Sequence, residues 1–342
     1  MASSVGWIDF SSDHRDKAKT VIDLLSEPGV LDELGVGSVL VSFADRMFPG
    51  ISTIQTRAKY FTLTALLLNE YKSRAERRKQ TVTLEQFLER RELDCRVALV
   101  ESQKADAKET GIIGGSFGSR TDRNVVRRPS SIYWRGLQSF GIVSPPTLSL
   151  PEWGRLVTDQ LGHLSTMLQS TGSQKGDDPD VAHQPLSARV NAPEVPVDYQ
   201  DDLTIDLTIS EARFLHDRII AFQPHSLLGQ ILSRPRLMRD VLNLPASAGF
   251  EAFPALPSIR ASVDSSMAEV VHHARGFWQI MEGAHIRYNC LLQQRFGTPD
   301  LAKEFLEDWE EWRGSTLPIP TDWNLEFVWR VMSKTGHTAT ES

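Results

Sequence analysis

Apolar residues recur at helical spacing along almost the whole of this 342-residue chain. Residues 13–26, for example, carry four apolar side chains at the i, i+3, i+4 and i+7 positions of one helix face: Ala18, Val21, Ile22 and Leu25. Strand-type alternation is rare, and its best candidate is the short stretch 203–207. This pattern predicts a mainly α fold with several helices.

Residues that cap or start helices mark several predicted boundaries. Thr83 with Gln86 and Thr208 with Glu211 form capping-box patterns, so a helix is predicted to begin at each. Pro129 is predicted to occupy the first turn of another helix. The spacing predicts further helices over 38–48, from 52 or 53 through 71, and over 262–296, 299–313 and 322–334.

Residues 170–203 differ in composition from the rest of the chain. These 34 residues include four prolines, seven acidic residues, two basic residues and one aromatic residue. Such a segment buries too little apolar surface to offset its ordering entropy, so it is predicted to be a disordered linker. The linker would separate a helical domain with a basic patch at 1–169 from a second helical domain at 204–342.

Residues 38–71 have the outline of a helix-turn-helix, because two predicted helices flank a Pro49-Gly50 turn. In that motif the first residues of the second helix contact bases and phosphates. The residues predicted to contact double-stranded DNA here are Ser52, Thr53, Gln55, Thr56, Arg57 and Lys59. The alternative is a plain helical hairpin with a solvated polar face.

Charge is unevenly distributed along the chain. The net charge is −7, yet residues 51–135 hold 17 Lys and Arg against 10 Asp and Glu, and so carry +7. The predicted phosphate-binding residues form two clusters: Lys72, Arg74, Arg77, Arg78 and Lys79, and then Arg120, Arg123, Arg127 and Arg128. The alternatives are a solvated basic face and a docking surface for the acidic linker.

Other sequence patterns do not predict a chemical site. The loop Gly111–Gly118 lacks the GK[ST] ending of a phosphate-binding loop and is predicted to be a hinge. The adjacent His272 and His273 point about 100° apart on a helix, and Cys95 and Cys290 have the setting of buried thiols. We therefore predict no catalytic residue, no metal site and no cofactor, which favours a protein that is not an enzyme.

The predicted location is the cytoplasm, with no membrane contact. Two distant cysteines do not form a disulfide framework, and the first residues lack the pattern of a secretory signal. The longest apolar run, Phe61–Leu68, falls short of the roughly 20 residues that a membrane helix needs.

Five motifs are shared with a known family: GWIDFS at residues 6–11, DELGVG at 32–37, FPGISTIQTRAKYF at 48–61, PSSIYWRGL at 129–137 and EARFLHDRI at 211–219. Through them the chain resembles an uncharacterised bacterial family that is described only as a domain of unknown function. The resemblance implies a role near helicase and nuclease-like genes in anti-phage defence islands, but it supplies no catalytic residues.

The leading hypothesis is a non-enzymatic DNA-binding or accessory component of a bacterial anti-phage defence system, with helicase or nuclease proteins as partners. The alternative is a helical scaffold subunit that binds proteins and makes no contact with nucleic acid. A third hypothesis is a nuclease or nucleotide-using effector whose site the sequence does not reveal.

Overall fold

The structure, a computed structural model, describes residues 36–77, 82–103, 110–122, 125–159, 187–195, 199, 202–245, 252–315 and 325–335. It is mainly α, which confirms the predicted fold class. The helices are α1 (Val36–Met47), α2 (Lys59–Glu76), α3 (Leu84–Ser102), α4 (Pro129–Ser139), α5 (150–159), α6 (Ile209–Phe222), α7 (Leu227–Ser233), α8 (Pro235–Leu242), α9 (Ala252–Ala255), α10 (Pro257–Ser262), α11 (Ser265–Phe296), α12 (Pro299–Ser315) and α13 (Leu325–Thr335).

The predicted capping signals are confirmed. At the start of α3, the Thr83 hydroxyl accepts the Gln86 amide N–H, and the Gln86 side chain accepts the Thr83 amide N–H. Thr208 and Glu211 form the same reciprocal pair at the start of α6. These pairs satisfy amide groups that a helix N-terminus otherwise leaves unbonded, and they fix where both helices begin.

The chain groups into two compact units. The inserted unit is the continuous stretch Pro49–Pro224, and the terminal unit combines Met1–Phe48 with His225–Ser342. The predicted boundary at 170–203 falls inside the inserted unit. There β2 (Arg189–Val190) pairs antiparallel with β1 (Val143–Ser144), and the described residues Ala188 and Pro193 are buried. This hydrogen bonding and burial place 187–195 in the fold, whereas 170–186 lie outside the described residues.

The inserted unit is built around α2, whose residues 59–68 are all buried. Phe61 lies with its ring centroid 4.8 Å from that of Tyr133 and 5.2 Å from that of Phe140. Gly136 permits this close packing of α4 on α2, because a Cβ atom at that position would lie 2.4 Å from the Phe61 ring. The core therefore depends on a glycine at the point where the two helices cross.

The terminal unit joins α1 to helices from the second half of the chain. Phe43 and Met47 of α1 belong to one buried cluster with Phe277 of α11 and Val328 of α13. The centroids of the Phe43 and Phe277 rings are 6.1 Å apart. This shared core places α1 in the same unit as residues that follow it by more than two hundred positions.

The predicted recognition helix is wrong in its first turns, because α2 begins at Lys59 and not at Ser52 or Thr53. The Tyr133 hydroxyl accepts the amide N–H groups of Thr56 and Arg57, at 2.8 and 3.0 Å, and donates to the Arg57 carbonyl at 2.9 Å. The Gln55 side chain likewise bonds the Gly50 carbonyl and the Ser52 amide. Side chains thus satisfy backbone groups that a helical turn would have used.

Two further differences concern smaller segments. Leu203 and Ile205 are buried, but residues 203–207 form no strand. The helix predicted over 13–26 lies outside the described residues. Among the helices that the structure describes, none combines the length and apolar character needed to cross a bilayer.

Candidate functional site

The six residues predicted to contact DNA bases are placed in two different environments. Five of them lie in the loop that precedes α2; Ser52, Thr53, Thr56 and Arg57 are exposed there, and Gln55 is half-buried. The sixth, Lys59, is only 5% exposed. Its ammonium group is therefore not presented to a ligand at the surface, which removes Lys59 from the predicted contact set.

Lys59 forms a buried ion pair with Glu211. Its Nζ atom lies 2.8 Å from both carboxylate oxygens of Glu211, and the Glu211 side chain is only 2% exposed. The Thr62 hydroxyl also lies 3.1 Å from Glu211 Oε1. Burial alone would raise the pKa of Glu211, but the hydrogen bonds from Lys59 and Thr208 outweigh burial and hold this pKa below its usual value. Lys59 thus joins α2 to the first turn of α6.

The first predicted phosphate-binding cluster lies near the end of α2. Lys72 pairs with Glu76 at 3.0 Å and Arg74 with Glu70 at 2.6 Å, so acidic neighbours balance both charges. Arg77 is exposed, while Arg78 and Lys79 lie outside the described residues. The 18 residues of α2 span about 27 Å, so Lys72, Arg74 and Arg77 are far from the loop that holds Arg57.

The second cluster is close to the Gly111–Gly118 loop. Arg120 Nε lies 3.5 Å from Asp122, and Arg128 donates a hydrogen bond to the Glu85 carbonyl at 3.0 Å. Arg127 is exposed, and Arg123 lies outside the described residues. Arg57 also reaches this loop, because its Nε donates to the Thr110 carbonyl at 2.7 Å. The structure therefore brings Arg57 to the start of the Gly111–Gly118 loop, which the second cluster follows in the chain.

Four of the eight amides in the Gly111–Gly118 loop are bonded within the fold. The amides of Gly115, Phe117 and Gly118 donate to carbonyls within the loop, and the Ile113 amide donates to the Tyr60 hydroxyl at 2.8 Å. Arg96 binds the loop from below, through the carbonyls of Gly118, at 2.7 Å, and Arg120. These four amides are therefore not available to bind an anion.

A cavity of about 150 Å³ lies between α2 and α3. Each helix contributes residues at i, i+3, i+4 and i+7 spacing: Tyr60, Leu63, Thr64 and Leu67 from α2, and Glu89, Glu92, Leu93 and Arg96 from α3. The lining is completed by Cys95, Ile113, Val125, Val126, Arg128 and Pro129. A cavity of this volume is large enough for a small aromatic ring.

Glu92 is the buried acidic group of this cavity. Its Oε1 atom accepts the Ser130 amide N–H at 2.6 Å, whereas no donor in the described part of the chain bonds its Oε2 atom. Burial raises the pKa of Glu92 to about 7, although the hydrogen bonds from Ser130 and the charge of Arg128 act in the opposite direction. Burial therefore favours the protonated form of Glu92 up to about neutral pH.

The two cysteines do not provide a nucleophile. Burial raises the pKa of Cys95 to about 12, so its thiol stays protonated at neutral pH. Cys290 is buried as well. Among the described residues, no group of three or more His, Cys, Asp or Glu side chains is arranged to hold a metal ion.

A second candidate site lies on α11 in the terminal unit. Phe277 is buried in the core and Met281 packs against it. The same helix face continues with four exposed apolar residues: Tyr288, Leu291, Leu292 and Phe296. We call these four residues the α11 stripe; the exposed fraction of Phe296 is 73%. A contiguous patch of exposed apolar side chains often marks a site of protein interaction.

The neighbouring α12 gives the surface beside this helix an acidic character. Its exposed acidic residues are Asp300, Glu304, Glu307, Asp308, Glu310 and Glu311, against exposed Lys303 and Arg313. The two helices are held together by the Trp312 indole, which donates to Glu282 at 3.0 Å and lies against Gly283. The pair therefore presents an apolar stripe on one helix and excess negative charge on the other.

The sequence analysis predicted neither the buried Glu92 of the cavity nor the α11 stripe. For Glu92 a signal existed, because this residue interrupts the apolar face of α3 between Leu88 and Cys95. For the stripe no signal existed, because helical periodicity is the same whether a face is covered or exposed.

Comparison with known proteins identifies a family. A family model described as a family of unknown function, DUF6361, matches residues 2–342 of the chain. No curated protein and no solved structure matches the chain. The predicted resemblance to an uncharacterised family is thereby confirmed. With the match covering nearly the whole chain, this protein belongs to DUF6361, a family of unknown function.

Proposed function

We propose that this protein is a non-enzymatic interaction subunit that binds a basic amphipathic helix of a partner protein on the α11 stripe. One observation carries the proposal: the core face of α11 continues from Phe277 and Met281 into the exposed stripe. Leaving four large apolar side chains in water is unfavourable, and binding a partner would remove that apolar surface from water.

The geometry of the stripe favours a helix as the occupant. Residues 288–296 span about 12 Å along α11, and their spacing matches the i, i+3, i+4 anchors by which helices pack on one another. Tyr288 and Phe296 provide aromatic rings, which often contribute most of the binding free energy at interfaces. The excess of acidic over basic residues on α12, which packs against α11, favours a partner that carries lysine or arginine.

A pair of model peptides tests this proposal. An 18-residue Leu-Lys amphipathic peptide should bind the full chain in a fluorescence anisotropy titration, whereas a Leu-Glu peptide of the same pattern should not. Leu291→Ser with Phe296→Ser should weaken binding of the Leu-Lys peptide by about tenfold or more, because two apolar anchors are lost. Leu242→Ser is the matched control, since Leu242 is exposed elsewhere in the same unit.

Two results contradict the proposal. One is equal binding of the Leu-Lys peptide to the double variant and to the wild type. The other is self-association of the chain in sedimentation that Leu291→Ser abolishes, because a second copy would then occupy the stripe.

Contact with a DNA backbone is a second candidate function. Its support is exposed Arg57, whose Nε atom donates to the Thr110 carbonyl just before the Gly111–Gly118 loop, together with exposed Arg120 and Arg127, which follow this loop in the chain. The contact set differs from the prediction, because Lys59 is buried and Lys72 and Arg74 lie toward the far end of α2. Phosphate contact through three arginines requires neither a recognition helix nor base readout.

A salt titration tests the DNA candidate. With about three phosphate contacts, affinity for a 30-base-pair duplex should fall roughly 40-fold between 50 and 200 mM salt. Arg57→Ala with Arg120→Ala should reduce the slope of this dependence by about two. Arg155→Ala, an exposed arginine on α5, is the control and should keep the slope. Absence of duplex binding at 50 mM salt would reject this function.

The biological setting stays a prediction from the family resemblance. Helicase or nuclease proteins of an anti-phage defence system are the partners that the resemblance implies. Under the present proposal, the basic amphipathic helix that binds the α11 stripe would belong to one of them.

A further inference from the structure

A groove of about 610 Å³ lies beside β2 in the inserted unit. One side is formed by Leu66 and Asn69 of α2 and by Phe214 and Arg218 of α6, and the other side by the consecutive residues 190–195. Neighbouring side chains of a strand point to opposite faces, so residues 190 and 191 share one groove because the edge of the backbone faces it. The groove therefore runs along an edge of the small sheet.

Val190 is the residue of β2 whose backbone groups point away from β1. The Asn191 amide donates to the Ile142 carbonyl at 2.8 Å, and Val190 lies opposite Val143 in the antiparallel pair. Backbone groups of successive strand residues point to opposite edges, so those of Asn191 face β1 and those of Val190 face the other edge. No other group in the described part of the chain bonds the amide or the carbonyl of Val190. Such an edge is a template for a further strand.

The side chains across the groove indicate what a further strand would carry. Leu66 is buried and Phe214 is half-buried, and both are apolar. The Arg218 guanidinium bonds backbone carbonyls, with its Nε atom 3.2 Å from the Phe140 oxygen, and no carboxylate of the described residues pairs with it. Burial without an opposing charge lowers the pKa of Arg218. An acidic side chain on the added strand would provide the missing anion.

Glu194 also lines this groove, but away from Arg218. Arg218 and Asn191 both donate to the Gly141 carbonyl, so Arg218 lies at the β2 end of the 190–195 segment. Glu194 is exposed and follows Asn191 by three residues, up to about 10 Å of chain. The groove is therefore basic at one end and acidic at the other, which favours an acidic side chain at the Arg218 end.

We propose that an extended acidic peptide of a partner protein binds in this groove by adding a strand to the open edge of β2. The peptide backbone would exchange hydrogen bonds with the amide and carbonyl of Val190. Its alternate side chains would contact Phe214 and Arg218, which lie about 6 Å apart along α6, close to the roughly 6.6 Å between alternate residues of a strand. This site lies in the inserted unit and does not depend on the α11 stripe.

Two heptapeptides that differ in one charge test the recognition of Arg218. Labelled Thr-Glu-Thr-Val-Thr-Val-Thr should bind the full chain in a fluorescence anisotropy titration. Replacement of its glutamate by lysine should weaken binding about tenfold or more, because the lysine repels Arg218 where the glutamate pairs with it. The proposal is overturned if the glutamate peptide does not bind, or if both peptides bind equally.

N-methylation of the peptide distinguishes strand addition from other ways of binding. Alternate residues of an added strand direct their N–H groups to the same edge, so only one alternating set faces β2. The glutamate peptide is therefore prepared with methyl groups on the amides of its odd positions or of its even positions. One of these peptides should keep the parent affinity, and the other should lose about tenfold or more. Equal affinity of the two methylated peptides would reject strand addition.

Variants of the protein assign the binding to this groove. Asn69→Trp fills the groove from an exposed position on α2 and should weaken binding of the glutamate peptide about tenfold or more. Ser131→Trp, at an exposed position on α4 outside the groove, is the matched control and should keep the affinity. Thermal unfolding establishes that each variant is folded at the titration temperature. Unchanged affinity in folded Asn69→Trp would contradict the proposed site.

Hydrogen exchange tests whether the edge is open in the protein alone. Residues 189–195 should exchange rapidly in the free chain and more slowly when the glutamate peptide is bound, because the Val190 amide gains an acceptor. Slow exchange in the free chain, unchanged by the peptide, would mean that another segment or a second copy already occupies the edge, and it would overturn the proposal.

Discussion

Replacement of Lys59 by methionine is expected to lower the free energy of unfolding by about 3–5 kcal/mol, the usual cost of leaving a buried charge without its partner. Methionine fills a similar volume but provides no cation, so Glu211 would keep only its contacts with Thr62 and Thr208. The control is Lys72→Met, which removes a partly exposed i, i+4 pair with Glu76 and should cost less than about 1 kcal/mol. Urea-induced unfolding at pH 7 measures both values.

The pH dependence separates loss of the ion pair from loss of packing. The pKa of Glu211 is lowered in the folded wild type, so its ionised form stabilises the fold above the ordinary glutamate pKa of 4.5. That stabilising contribution is lost as the pH falls through the lowered pKa that Glu211 has in the folded protein. The stability difference between wild type and Lys59→Met should therefore be largest at neutral pH and should narrow in acid. A difference that stays constant down to pH 3 would mean that packing, and not charge, explains the effect.

As the pH rises, the wild type is expected to lose free energy of unfolding on the order of 3 kcal/mol through ionisation of Glu92. Replacement of Glu92 by glutamine is expected to remove this loss. The folded pKa of about 7 lies above the ordinary value of 4.5. Between these values the unfolded chain has released the proton that the folded chain still holds. The stabilising contribution of Glu92 to the free energy of unfolding is therefore fully present below pH 4.5 and is lost as the pH rises toward and through 7.

The measurement compares the wild type with Glu92→Gln and with a control variant at two pH values. Urea-induced unfolding at pH 4 and pH 8 gives the change in free energy for wild type and for Glu92→Gln. The wild type should lose more stability than the variant over this interval, by the amount stated above. Glu101→Gln is the control and should follow the wild type, because its carboxylate is exposed. Parallel pH profiles for wild type and Glu92→Gln would contradict the assigned pKa.

The features that depend on neighbours in sequence were predictable. Capping boxes at Thr83 and Thr208 act over three residues, and both formed as predicted. The long helix predicted over 262–296 was found at Ser265–Phe296 because its spacing and its Asp264 cap are local signals. Local propensity and periodicity therefore specify where most of these helices begin and end.

The features that depend on distant residues were not predictable. Lys59 fits the polar face of a helix, and only its pairing with Glu211, which lies 152 positions further on, makes it a buried residue. Tyr133 similarly holds residues 56 and 57 in a loop from 76 or 77 positions away. Without knowledge of these contacts, helical spacing at 52–59 predicted a helix that the tertiary structure overrides. The predicted DNA interface depended on that helix, which explains why its contact set changed.

The division of the chain at Phe48 and His225 has a consequence for synthesis on the ribosome. The 176 residues of the inserted unit, 49–224, are made after α1 and before any of its core partners such as Leu227. At about 5–20 residues per second, α1 emerges roughly 10–35 seconds before the terminal unit can begin to assemble. During that interval Phe43 and Met47 are exposed in the nascent chain while the inserted unit can already fold. During synthesis, α1 is thus an exposed apolar segment that a chaperone is expected to bind.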